Sequence, residues 1–182
     1  MKKALGFIEF KTIPVGIEAT DEMLKSGNVE LVTSTPICPG KFITIISGDV
    51  GAVQSSVRTG EKVGGSYVVD SFMIANINEK VMPALTGTMP LPDVESLGMV
   101  ETIDGISSIL AADAAAKASN IDLLEIRIAR GLGGKAYFII TGEVSSVKRA
   151  IQASIDVLKD TGSITSHTVI ARPHKDIRSA LA

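Results

Sequence analysis

The amino-acid sequence repeats itself, and this duplication constrains the possible folds more than any other feature. Residues 4–9 read Ala-Leu-Gly-Phe-Ile-Glu, and residues 96–101 read Ser-Leu-Gly-Met-Val-Glu. At the same offset, Asn-Val-Glu-Leu at 28–31 returns as Asn-Ile-Asp-Leu at 120–123. A period of about 92 residues is too long for the unit of a solenoid, so the sequence predicts two complete domains.

The second copy is longer than the first in two places, with two residues gained before Gly134 and two more before Ile170. The Gly-Lys pair at 40–41 returns at 134–135, so the second copy has gained two residues before this point. The repeat predicts a first domain over residues 1–86, a proline-containing linker over 87–95 and a second domain over 96–182.

Hydrophobic patterning predicts the same order of elements in each copy. Proline suits the first turn of a helix, glycine often ends one, and aspartate suits the N-cap. Apolar runs separated by such signals give the order β-α-β-β-α-β, the split βαβ arrangement of ferredoxin-like folds, so we expect two α+β domains in tandem. In the first copy the expected strands are 4–10, 29–37, 42–47 and 67–75, the helices run from Pro14 to Gly27 and from Asp49 to Gly60, and a short helix covers 78–85.

Composition excludes several classes of function. The formal net charge is −2 without a basic block, which argues against a nucleic-acid partner. No uncharged apolar run approaches the roughly 18 residues that a membrane span needs. A single cysteine cannot form an intramolecular disulfide, so a reducing cytoplasm is the simplest compartment.

The sequence contains no catalytic constellation. Its two histidines, His167 and His174, suggest no Ser–His–Asp set, and solvent or helix-end roles are expected for Asp21 and Asp113. The glycine-rich segment 130–134 precedes a predicted strand, whereas a phosphate-binding loop must open a helix. We therefore predict that the chain is not an enzyme.

The single cysteine lies in a stiff loop between two predicted strands. Pro36 and Pro39 flank Cys38, and we expect them to keep the loop out of any β-ladder. Within one chain, one thiol cannot hold an iron–sulfur cluster, which needs about four thiolates. Cyclic symmetry changes this count, since a trimer places three copies of the loop around one axis.

The repeated motifs resemble the bacterial microcompartment shell domain. They are Gly-x-x-Glu in the first strand, Asp-x-x-x-Lys-x-x-Asn in the first helix, Gly-Lys before the third strand and Gly-Asp/Glu-Val before the second helix. Arg-Pro-His at 172–174 is similar to the end of the family's last strand, although the first copy has Asn76 at the corresponding place. The resemblance covers nearly the whole chain.

The resemblance implies a structural protein of the shell. Tandem members of the family assemble as trimers of pseudohexameric shape, alongside other shell proteins, in the bacterial cytoplasm. The segment around Cys38 is similar to that of the propanediol-utilisation tandem proteins, which hold a 4Fe–4S cluster on the threefold axis. Carried over, Cys38 is the metal ligand, and an encapsulated or cytosolic redox enzyme is a candidate partner. The implied pore residues are Pro36, Ile37, Pro39, Gly40, Arg130, Gly131, Leu132, Gly133 and Gly134, and the implied shell-edge residues are Lys25, Asn28, Lys117, Asn120 and Arg172.

Two alternatives remain open from the sequence. One is a metabolite-selective shell pore without a cluster, in which Cys38 is an incidental thiol. The other is a ferredoxin-like regulator that binds a small molecule and belongs to no shell.

Overall fold

The chain forms two compact units that divide between Ile77 and Asn78. The structure is a computed structural model, and it describes residues 4–89, 93–128 and 131–180. No helix among these residues is both long and apolar enough to cross a membrane.

The first unit is a four-stranded antiparallel sheet with two helices. The sheet order is β2-β3-β1-β4, so β1 and β3 are central and β2 and β4 are edges. The elements are β1 (Ala4–Phe10), α1 (Ile13–Ser26), β2 (Val29–Ile37), β3 (Lys41–Gly48), α2 (Val50–Gly64) and β4 (Val68–Ile74), with a 3₁₀ turn at Gly65–Tyr67.

The second unit repeats this plan, which confirms the predicted α+β class with two βαββαβ domains. Its sheet order is β6-β7-β5-β8, the counterpart of the first. The elements are α3 (Val81–Thr86), β5 (Ser96–Thr102), α4 (Gly105–Ala118), β6 (Asp122–Ile128), β7 (Ala136–Gly142), α5 (Val144–Leu158), β8 (Ile164–Ile170) and α6 (Lys175–Ala180).

The core of the first unit lies between the sheet and its two helices. Ile8 and Phe10 of β1 pack with Met23 of α1 and Val53 of α2, and all four are fully buried. Because a strand alternates its faces, residues 4, 6, 8 and 10 point to the helices.

The second helix does not end at Gly60, as the sequence predicted, but continues to Gly64. Gly60 is buried, and a Cβ there would stand 2.5 Å from the sulfur of Met23. This glycine therefore serves the contact between α1 and α2 rather than helix termination. Asp49 occupies the predicted N-cap position, but its side chain makes no capping hydrogen bond.

The short helix after the first sheet belongs to the second unit. The backbone N–H of Asn78 donates to Asp113 of α4 at 2.8 Å. The Lys80 ammonium donates to the carbonyl oxygen of Ile121 at 2.6 Å and pairs with Asp122 at 2.9 Å. These bonds hold α3 on the face formed by α4 and β6. The bounds that the sequence gives for the domains and the linker remain a prediction.

Two helical glycines give a test of this packing. A Cβ on Gly16 of α1 would stand 2.4 Å from the Phe42 ring, whereas a Cβ on Gly51 of α2 would meet nothing within 4 Å. We expect Gly16→Ala to lower the free energy of unfolding by about 1–3 kcal/mol through overpacking. Gly51→Ala should raise it by up to about 1 kcal/mol through helix propensity. Urea denaturation followed by circular dichroism measures both, and equal effects of the two variants would contradict the packing.

Candidate functional site: the Cys38 hairpin

Cys38 lies in the tight turn that joins β2 to β3. The N–H of Gly40 donates to the carbonyl oxygen of Ile37 at 3.0 Å and closes the turn. Gly40 has φ = +82°, a conformation that glycine adopts without strain. The thiol belongs to a half-buried residue, while Pro39 and Gly40 are exposed. The chain thus presents one thiol at the tip of a short hairpin.

The structure corrects the predicted role of Pro36. It does not keep the segment out of the ladder, because β2 continues through Pro36, opposite Phe42, to Ile37, opposite Lys41. Since β2 is an edge strand, a residue without an N–H can occupy it wherever that position faces the open edge. Only Cys38, Pro39 and Gly40 therefore form the turn.

An ion pair supports the base of this hairpin. The Lys41 ammonium donates to the Glu9 carboxylate at 2.6 Å, and the Glu9 side chain is only 4% exposed. In the second unit Lys135 pairs with Glu101 at 2.9 Å, with the Glu101 side chain 36% exposed. The Gly-x-x-Glu and Gly-Lys motifs, which are separate in the sequence, thus form one ion pair in each unit.

The corresponding hairpin of the second unit is longer and has no thiol. β6 ends at Ile128 and β7 begins at Ala136, and the N–H of Lys135 donates to the carbonyl oxygen of Leu132 at 3.2 Å. Arg130 lies outside the described residues. The loop turns on three glycines with positive φ, which are Gly131, Gly133 and Gly134.

A polar cluster that the sequence did not indicate lies across β6 and β7. The Tyr137 hydroxyl donates to Glu125 at 3.1 Å, and the Arg127 guanidinium lies 5.8 Å from the Tyr137 ring centre. Arg127 also pairs with Glu125 at 2.5 Å. Burial, and then the Glu125 charge, raise the pKa of Tyr137, which keeps the phenol protonated. The feature of the sequence that could have predicted this cluster is the pair Glu125 and Arg127, two residues apart on β6, together with the aromatic Tyr137 on β7.

The predicted shell-edge residues all lie on the surface, but no contact between chains tests their role. Lys25 pairs with Asp21, one turn earlier on α1, and with Glu22 at 3.1 Å. The hydrogen bond to Asp21, followed by the one to Glu22, raises the pKa of Lys25. The exposed residues are Lys25, Asn28, Lys117, Asn120 and Arg172.

Asp113 has a structural role that differs from the expected solvent or helix-end role. It is buried, and its carboxylate accepts the N–H of Asn78 and pairs with Lys117 at 2.5 Å. A buried carboxylate needs such partners, since burying an unpaired charge is costly. Asp113 therefore ties the segment before α3 to α4. The Asp-x-x-x-Lys motif is an ion pair between successive turns in both units.

The donor set within one chain is a single thiol. Among the described residues, no group of three or more histidine, cysteine, aspartate or glutamate side chains converges on one point. The Cys38 hairpin therefore fits an iron–sulfur cluster only where several copies bring their thiolates together.

Comparison with known proteins shows the family. The BMC domain family matches residues 4–77 and 96–173, which are the two sheet units. The chain therefore belongs to the bacterial microcompartment shell proteins and carries two BMC domains in tandem.

The individual relatives agree with this assignment. The chain is 41% identical to the bacterial microcompartment shell protein PduT of Citrobacter freundii, over 97% of this chain and 96% of that one. It is 36% identical to the carboxysome shell protein CcmK2 of a Synechocystis species, over 44% of this chain and 82% of that one. A crystal structure of a microcompartment protein from Desulfitobacterium hafniense superimposes with a TM-score of 0.95 at 40% identity, covering 98% and 99% of the two chains. PduT and CcmK2 are shell proteins, and the chain is likewise a structural shell protein and not an enzyme.

The two ion pairs at the hairpin bases give a direct comparison. We expect Glu9→Gln to lower the free energy of unfolding by about 1–3 kcal/mol, because it removes the buried negative charge that strengthens the hydrogen bond from Lys41. Glu101→Gln should cost less than about 1 kcal/mol, because water screens the more exposed pair. The midpoints of urea unfolding measure the stability of both variants, provided that the m-value is unchanged. A larger loss for Glu101→Gln would contradict the assigned roles.

Proposed function

We propose that the chain is a structural tile of a bacterial microcompartment shell, in which three copies close a ring of six similar domains. The observation that carries this proposal is the tandem fold, since three copies of two similar units approximate the sixfold arrangement of single-domain tiles. The match of one half of the chain to most of CcmK2 supports the equivalence of one unit and one single-domain shell protein. The tile then packs edge to edge with other shell proteins and helps to enclose metabolic enzymes.

The proposal extends to a 4Fe–4S cluster at the centre of the ring. Three Cys38 thiolates, one from each copy, would ligate three irons, and the fourth iron takes water, a small ligand or a group from a partner. Thiolate is the protein ligand that suits iron–sulfur clusters. The short turn and the Glu9–Lys41 pair beneath it hold the thiol in a fixed place, which metal ligation requires.

The cluster would supply one-electron chemistry, or would itself be delivered, across the shell. Each chain would contribute one thiolate to a point shared by three copies, and the ring would separate the two sides of the shell. A redox enzyme, encapsulated or cytosolic, is the partner that such a site fits.

A metabolite-selective pore without a cluster is the second candidate. It is supported by the second hairpin, which turns on three glycines with positive φ, has a half-buried Leu132 and carries no thiol. Family membership excludes the third interpretation, a regulator that belongs to no shell.

Replacing the thiol separates the two candidates. In Cys38→Ser all three thiolates become hydroxyls, which are poor ligands for iron in a sulfide cluster, so we expect complete loss of iron while the trimer remains. The control is Leu132→Ser, which changes the other hairpin and should leave iron unchanged. Anaerobic absorption spectra, iron quantitation and light scattering are the measurements. Stoichiometric iron in Cys38→Ser, or a colourless wild-type protein, would contradict the cluster.

The shell-edge role is tested at Lys117. We expect Lys117→Ala to impair the assembly of tiles into sheets. It also removes the ion pair with the buried Asp113 and should lower the free energy of unfolding by about 1–3 kcal/mol. Trimers should remain, because Asp113 keeps its hydrogen bond from the Asn78 N–H. Lys148→Ala, at an exposed site on α5, is the matched control. Electron microscopy shows the sheets. Normal sheets from Lys117→Ala would remove the edge assignment.

A further inference from the structure

Corresponding faces of the two units differ sharply in exposure. Ile17 of α1 is 56% exposed, and Leu31 of β2 is 47% exposed. Their repeat partners, Ile109 of α4 and Leu123 of β6, are fully buried. Ile17 and Leu31 lie on two elements that contact each other, and large apolar side chains exposed close together mark an interaction surface. We call the face of α1 and β2 that carries Ile17 and Leu31 the uncovered face.

The second unit shows what covers such a face. The segment 78–86, which contains α3, lies against α4 and β6 there. The backbone N–H of Asn78 donates to Asp113, the Asn78 side-chain amide donates to the carbonyl oxygen of Ala116 at 3.3 Å, and Val81 of α3 is fully buried. The cover is therefore a short helix that follows the last strand of a sheet.

The chain carries a second segment of the same kind. α6 follows β8 as α3 follows β4, and His174 and Ile177 occupy the repeat positions of Asn78 and Val81. Ile177 is 49% exposed, whereas Val81 is fully buried. In the part of the chain that the structure describes, the α1–β2 face thus leaves Ile17 and Leu31 exposed, and α6 leaves Ile177 exposed. By the repeat, they correspond to the α4–β6 face and to the helix α3 that covers it in the second unit.

We propose that α6 of one copy docks on the uncovered face of the next copy, with Ile177 packed near Ile17 and Leu31. The His174 N–H then has Asp21 as its acceptor, as the Asn78 N–H has Asp113. This contact is head-to-tail, because the two surfaces differ, and head-to-tail contacts close into rings when the rotation between copies permits. The inference rests on the proposed ring of three copies and assigns the residues that join them.

Substitution at either side should break the ring. Burial of an isoleucine contributes enough free energy that losing it should raise the concentration at which trimers dissociate by about tenfold or more. We expect this shift in Ile177→Asp and in Ile17→Asp. Val157→Asp, on α5 at 47% exposure, is the matched control and should dissociate like the wild type. Sedimentation velocity over a dilution series measures the shift, and circular dichroism melting verifies that each variant is folded.

Mixing the two variants tests the head-to-tail arrangement. Ile177→Asp retains an intact uncovered face, and Ile17→Asp retains an intact α6, so one good contact can form between them. At a concentration where each variant alone is monomeric, an equimolar mixture should give dimers. Monomers in the mixture, or unchanged trimer dissociation in the single variants, would overturn the docking while leaving the trimer itself in place. A wild-type protein that is monomeric would instead contradict the proposed function.

Discussion

Helix α2 packs directly on strand β1 because Gly6 of that strand has no side chain. The packing of the rest of the unit depends on this contact. A Cβ on Gly6 would stand 2.6 Å from Val57, and one on Gly98 would stand 2.7 Å from Val147 in the second unit. Three residues after each glycine, a glutamate on the opposite face of the strand reaches the lysine at the hairpin base. The Gly-x-x-Glu motif thus sets helix packing on one face and supports the hairpin on the other.

Duplication allowed the two hairpins to diverge on one framework. The shorter one carries Cys38 in a closed turn, while the longer one carries glycines and no thiol. Six identical units in a ring would present six thiols, whereas the proposed ring of three tandem chains presents three. Divergence between the copies therefore leaves three thiols in the proposed ring, one for each of three irons, and the fourth iron of the proposed cluster would take a different ligand.

Sequence reasoning failed where one residue type serves two purposes. Gly60 was predicted to end a helix, but it lies inside α2 where that helix contacts α1. Glycine is a poor helix former, yet it is needed here because a Cβ would collide with Met23. Pro36 reads as a ladder breaker, but an edge strand accepts it. Asp113 reads as a solvated helix residue, but a segment distant in the sequence buries it. Each outcome depends on neighbours that spacing does not reveal.

The sequence by itself determined the duplication, the order of elements, the α+β class and the position of the single thiol between two strands. These features depend on local periodicity and on the repeat, which are visible along the chain. The tertiary structure alone decided that Glu9 pairs with Lys41, that α3 covers the second unit, and that Ile17 and Ile177 remain exposed. The reason is physical: burial and ion pairing are set by residues that folding brings together from distant parts of the chain.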